Sequence, residues 1–178
     1  QGTCYHVGSA ATKYLLINST QVATTNSSVW NDTEPTSSLI SMGTSAGVNN
    51  SAEMMSYAWH SVEGYSAFGS MAANTNANGP FINTGFYSGT IIIKVATGTA
   101  KGWYQWDGNS DSNGARFPLQ WDATSIDTLS NDRLDILSNG AKLRTAATPN
   151  YDGTEVYIAW GGRPIQGNGT DTSQGRAK

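Results

Sequence analysis

Large apolar side chains come in short bursts along this chain, most of them alternating with polar residues and closed by clusters of turn formers. The tightest burst is Thr90-Ile91-Ile92-Ile93-Lys94-Val95, bracketed by Gly89 and Gly98. β-branched side chains favour a pleated backbone, and an unbroken apolar run asks for burial on both faces, so this segment predicts a central strand. Residues 102–106, Gly-Trp-Tyr-Gln-Trp, predict the next strand. Alternation sends Trp103 and Gln105 to one face and Tyr104 and Trp106 to the other. Residues 117–121 predict a short strand whose Pro118 puts it at a sheet edge or beside a bulge. Leu134-Asp135-Ile136-Leu137 and Ala141-Lys142-Leu143-Arg144 flank Asn139-Gly140, the dipeptide of a type I′ turn, and predict a hairpin pairing residues 133–137 with 141–145. Val156-Tyr157-Ile158-Ala159-Trp160 predicts the last strand, stopped by Gly161-Gly162.

The first half of the chain gives weaker signals. Tyr14-Leu15-Leu16-Ile17 predicts a compact strand, residues 24–28 a loop, and residues 31–35 a turn-rich segment after an isolated Trp30. Residues 38–43 alternate and predict a strand. So does the stretch in which Met55, Tyr57 and Trp59 alternate with Ser56, Ala58 and His60. A break follows at Glu63-Gly64, and residues 65–80 read as small residues around Tyr65 and Phe68 running into a polar loop. Ile91, Ile93, Tyr57, Trp59, Ile158 and Trp160 are expected to share one core. No window repeats large apolar residues at helical spacing, and no fixed-period repeat is present. The pattern predicts an all-β chain with little helix, folded as an antiparallel β-sandwich or jelly roll. Residues 1–12 read as a lead-in that packs against something else, residues 13–165 as a single sandwich domain, and residues 166–178 as a polar tail.

Composition narrows the class. Of 178 residues only 13% are charged, about half the usual share. Six Trp and eight Tyr argue against disorder. A net charge of -3 and a pI near 5.2, with no basic cluster, argue against a nucleic-acid partner. The longest aliphatic run is Ile91-Ile92-Ile93, too short for membrane insertion by a helix. Cys4 is the only cysteine, so no disulfide forms within the chain, and stability must come from packing or from neighbouring subunits. The chain starts at Gln1 and is expected to be a processed or truncated part of a longer product.

Two constellations point to chemistry. Asp107, Asn109, Asp111 and Asn113 present alternating oxygen donors before Gly114, which suits Ca²⁺. The glycine and the residue at the twelfth position, Pro118, depart from the calcium-loop pattern, and a plain solvated turn is the competing reading. Trp103, Tyr104 and Trp106 with Asp107 and Asn109 could form a platform for carbohydrate, rings stacking on sugars while the polar groups read hydroxyls. Alternation allows only part of that cluster to be exposed, and aromatic core is the alternative. His60, Glu63, His6 and Cys4 lack the partners that a base, a metal site or a nucleophile needs. The carboxylates Glu53, Glu63, Asp122 and Glu155 show no spacing that pairs them for glycoside hydrolysis. No cofactor and no enzymatic activity are expected.

Trp59-His60-Ser61-Val62-Glu63-Gly64-Tyr65-Ser66, Phe68-Gly69-Ser70, Gly79-Pro80-Phe81, Thr84-Gly85-Phe86, the Leu137–Arg144 hairpin motif and the closing aromatic strand carry a resemblance. Together they are similar to an uncharacterised domain family of tailed-phage virion proteins. That resemblance implies a structural component of a phage tail or tail fibre, made in the bacterial cytoplasm and carried on the extracellular particle. Its implied partners are other virion proteins and copies of itself; a host-surface glycan is the partner that the aromatic platform would take.

Overall fold

The computed structural model describes residues 2–108, 118–122 and 133–162. Its elements are the strands β1 (Thr3–Cys4), β2 (Lys13–Leu16), β3 (Thr24–Thr25), β4 (Ser66–Ala72), β5 (Phe81–Asn83), β6 (Ser88–Val95), β7 (Trp103–Asp107), β8 (Leu119–Gln120), β9 (Leu134–Leu137), β10 (Gly140–Leu143) and β11 (Thr154–Gly161). A 3₁₀ turn, Val7–Ser9, and one turn of α-helix, Ser27–Trp30, are the helical pieces. All strand pairs are antiparallel. The chain is thus nearly all β, as its pattern predicts.

A five-stranded sheet, β4-β11-β6-β7-β8, forms the middle layer. β6 sits at its centre with almost every residue buried, and Ile91 and Ile93 are wholly inaccessible. Each such side chain contributes roughly 1.5–3 kcal/mol by leaving water. β8 lies at one edge, where Pro118 had pointed. On one face the sheet β5-β10-β9 covers Ile91, Ile93, Trp106 and Ala159 with Ile82, Leu134, Ile136, Ala141 and Leu143. On the opposite face the small sheet β1-β2-β3 covers only part, packing Leu15 against Ile92, Ala96, Trp103 and Val156.

Several expectations are corrected. The hairpin forms with Leu137 opposite Gly140 and Ala141 opposite Ile136, so its loop is Ser138-Asn139, and neither loop residue has the positive φ of a type I′ turn. Gly140 instead belongs to β10, where a Cβ would stand 2.0 Å from the Ile82 carbonyl oxygen of β5. The glycine serves strand approach, not turn chirality. Residues 66–72, read as part of a loop region, form β4 along β11 in a register running from Ser66 opposite Trp160 to Ala72 opposite Thr154. Their small side chains hid the strand: at Gly69 a Cβ would meet the Tyr157 hydroxyl at 2.6 Å, so smallness here is what lets the strands lie together.

Conversely, residues 38–43 and 55–60 alternate correctly yet form no strand. Leu39 is 70% exposed and Tyr57 72%. Alternation supplies a face, but a strand also needs an edge to pair with, and among the described residues neither stretch pairs in a sheet ladder. The single shared core is corrected with them. Ile91 and Ile93 lie on one side of the middle sheet, Ile158 and Trp160 half-buried on the other, and Tyr57 and Trp59 outside both. Residues 24–28 hold β3 and the start of the helical turn, which Asn26 caps by accepting from the Ser28 N–H at 2.9 Å. The segment before residue 13 packs on its own chain: β1 pairs with β2, and Gly8 lies against Ser70 and Val156.

Candidate functional site

The partly covered face of the middle sheet is built in three cross-strand rows. The register places Ser66, Trp160, Thr90 and Asp107 in the first; Phe68, Ile158, Ile92, Gln105 and Leu119 in the second; and Ser70, Val156, Lys94 and Trp103 in the third. Directly opposite residues share a face, so all of these side chains point the same way.

The N-terminal sheet seals the third row. Trp103 donates its Nε1–H to the Leu16 carbonyl at 2.8 Å. Lys94, fully buried, donates from Nζ to the carbonyls of Thr20 (3.0 Å) and Lys101. Burial lowers its pKa to about 8, with the charge of Asp122 pulling the other way. His6 is buried between Gly8, whose N–H donates to Nδ1 at 3.0 Å, and the Tyr157 carbonyl, 3.0 Å from Nε2. Two such neighbours fit a neutral ring that donates from Nε2, and burial lowers its pKa. His6 is thus a clasp between lead-in and sheet. Cys4 donates to the Tyr5 carbonyl at 3.1 Å, and burial pushes its thiol up to about 11, so it carries no thiolate near neutrality.

Apart from Ile92, which packs against Leu15, the first two rows are less covered and border an aromatic ladder. Trp160 meets Phe68 and Trp59 edge-on, each with ring centroids 6.0 Å apart. Trp59 stacks on Tyr57 at 5.8 Å and 12°, and the Tyr57 hydroxyl reaches the Met55 sulfur. Trp59 remains 61% exposed and Met55 78%. Beyond β7, Trp121 stacks on Trp103 at 5.8 Å and 16° and donates its Nε1–H to Gln105 Oε1 at 2.9 Å. This second ring is also open to solvent, and an edge-strand tryptophan after Pro118 was the one signal for it.

The proposed sugar platform is therefore divided. Trp103 and Trp106 are buried, on opposite faces as alternation requires, and neither offers a ring face to a ligand. Tyr104 is half-buried against the main core, Asp107 is exposed, and Asn109 lies outside the described residues. Of the calcium candidates only Asp107 is described; Asn109, Asp111 and Asn113 are not. Among the described residues no three His, Cys, Asp or Glu side chains gather as metal donors. His60 is exposed, its Nδ1 2.9 Å from the Ser61 carbonyl. Glu53 and Glu63 are on the surface, whereas Glu155 is buried inside the sandwich. Burial, and next the charge of Asp152, push the Glu155 carboxyl up to about 8.

Fold and surface together define an antiparallel β-sandwich with an exposed aromatic face. The family model of DUF7483, a domain of unknown function, matches residues 3–164, and the chain belongs to that family. No curated protein and no solved structure matches it.

Proposed function

We propose that this domain is a non-enzymatic structural element of a phage particle, placed in the tail or its fibres, where it contacts other virion proteins and copies of itself and contributes to host-surface attachment. The observation that carries this reading is the ladder Met55-Tyr57-Trp59-Trp160-Phe68. It is a contiguous apolar surface that runs from the unpaired residues 55–59 onto the β11–β4 edge of the middle sheet, and surfaces of that kind mark contacts between macromolecules. The low charge of the chain leaves little repulsion between neighbouring subunits. Similarity of the motifs at residues 59–86 and 137–144 to tailed-phage proteins supports the location. Labelling purified particles of the encoding phage with an antibody against the domain tests it. Gold at the tail or fibres is the expected result, and absence of the chain from particles overturns it.

A second reading, a carbohydrate-binding module, is favoured by one local arrangement. Trp121 is an exposed ring braced by Trp103 behind it and by Gln105 at its nitrogen, with Asp107 on the same sheet face as Gln105. A glycan-array screen checks this reading. Binding that Trp121→Ala abolishes would favour it, and an empty array would remove it.

A further inference from the structure

Residues 53–59 have the side-chain order of a strand and none of its pairing. Met55, Tyr57 and Trp59 line up at every second position, in contact through the sulfur–hydroxyl and ring-stacking contacts, while Ser56 and Ala58 fall between them. No backbone N–H or carbonyl of residues 53–59 bonds to any described residue. All of them are solvent-exposed. An extended segment with open backbone edges and an apolar side is a template for another strand.

We propose that this stretch is the pairing strand of a two-fold dimer, laid antiparallel against the same stretch of a second copy of the chain. The inference rests on the assembly reading above and names its partner. Centred on Tyr57, the register puts Met55 of one copy opposite Trp59 of the other, so the whole ladder is matched by itself. Glu53 then falls opposite Ser61, and no like charges face each other. With Glu53 its only ionisable group besides Tyr57, the stretch has no charge pattern with which to select a different protein. Self-complementarity of this sort is what a two-fold interface requires. A glycan would use the ring faces but leave the backbone edges unpaired, so the strand pattern favours a protein partner. Pairing would also join the two copies' Trp160-Phe68 surfaces through Trp59 into one apolar band.

The full chain tests this in solution. Sedimentation equilibrium over a wide concentration range, with amide hydrogen exchange at low and high concentration, is expected to show a dimer whose formation protects the amides of residues 53–59. Tyr57→Asp and Trp59→Asp change exposed side chains, so each should keep the wild-type circular dichroism while weakening the dimer by at least about tenfold. A chain that stays monomeric, a dimer that Tyr57→Asp leaves intact, or a dimer without protection at residues 53–59 overturns the pairing. A monomer whose Trp59 fluorescence responds to oligosaccharide overturns it in favour of a glycan at the same rings. A monomeric chain still found in phage tails would sink the pairing and leave the virion reading standing.

Discussion

β6 and residues 53–59 both carry a concentrated load of large side chains, and the molecule treats them oppositely. β6 has a hydrogen-bonded neighbour on each side, β11 and β7, and a layer over each face, so Ile91, Ile92 and Ile93 lose nearly all contact with water. Among the described residues the Met55-Tyr57-Trp59 stretch has neither a paired edge nor a second layer; its rings stack on each other and Trp59 meets Trp160. Hydrophobicity of the segment does not separate the two. What separates them is whether remote parts of the chain supply backbone partners, because a buried strand with unpaired N–H and carbonyl groups costs more than exposure of its rings. Apolar side chains left outside such a partnership become surface, and here that surface is the candidate contact site.

The comparison can be broken most directly by truncation. Ile93→Ala should destabilise the domain by about 2–5 kcal/mol, as expected for a large side chain removed from a packed core. Urea unfolding measures this, and a loss below about 1 kcal/mol would mean that β6 is less enclosed than its two covered faces imply.

A second test uses acid groups next to β6. Glu155 faces Val95 across the β11–β6 register. In the fold its carboxyl keeps a proton up to about pH 8, whereas in the unfolded chain it ionises near 4.5. The native state therefore binds more protons between those values. Glu155 stabilisation is full below about pH 4.5 and is lost as pH rises to about 8, at a slope on the order of 1 kcal/mol per pH unit. Glu155→Gln should flatten that slope in melting curves recorded from pH 5 upward.

Lys94, on β6 itself, has the opposite sense. Its ammonium gives up a proton near pH 8 in the fold and near 10.5 in the unfolded chain. The unfolded state binds more protons in that window, so this group makes stability rise from about pH 8 to 10.5. Lys94→Met should remove that rise, leaving the carbonyls of Thr20 and Lys101 without their donor and the N-terminal sheet more loosely held. Hydrogen exchange of β2 and β3 amides reads the loosening.

The smallest effect is expected in the exposed stretch. Trp59→Ala should change the unfolding free energy of the monomer by no more than about 0.5 kcal/mol, measured at concentrations too low for association. A loss comparable to that of Ile93→Ala would show that the ladder belongs to the core after all.

Much of the fold was legible along the chain, because its cause is local. The isoleucine run asks for a two-sided strand, Pro118 marks an edge, and the side-chain period alone puts Trp103 and Trp106 on opposite faces. The hairpin at residues 134–143 was also visible, although the glycine that signalled it turned out to be needed for the approach of β5. The candidate site was scarcely legible. Trp160 is left half-buried at the margin of the cluster that the N-terminal sheet covers, Trp121 is a surface ring stacked on Trp103 beyond β8, and β4 is a strand only because β11 accepts its small residues. His6 is a buried clasp because a carbonyl from β11, far along the chain, comes within 3.0 Å. The sequence by itself determined which segments alternate and, wherever such a segment pairs as a strand, which face each side chain takes, since period and β-branching act within a few residues. Tertiary structure alone decided which of those segments found a hydrogen-bonding edge, and so which aromatic rings became core and which were left as surface, because each edge and each covering layer comes from a distant stretch of chain.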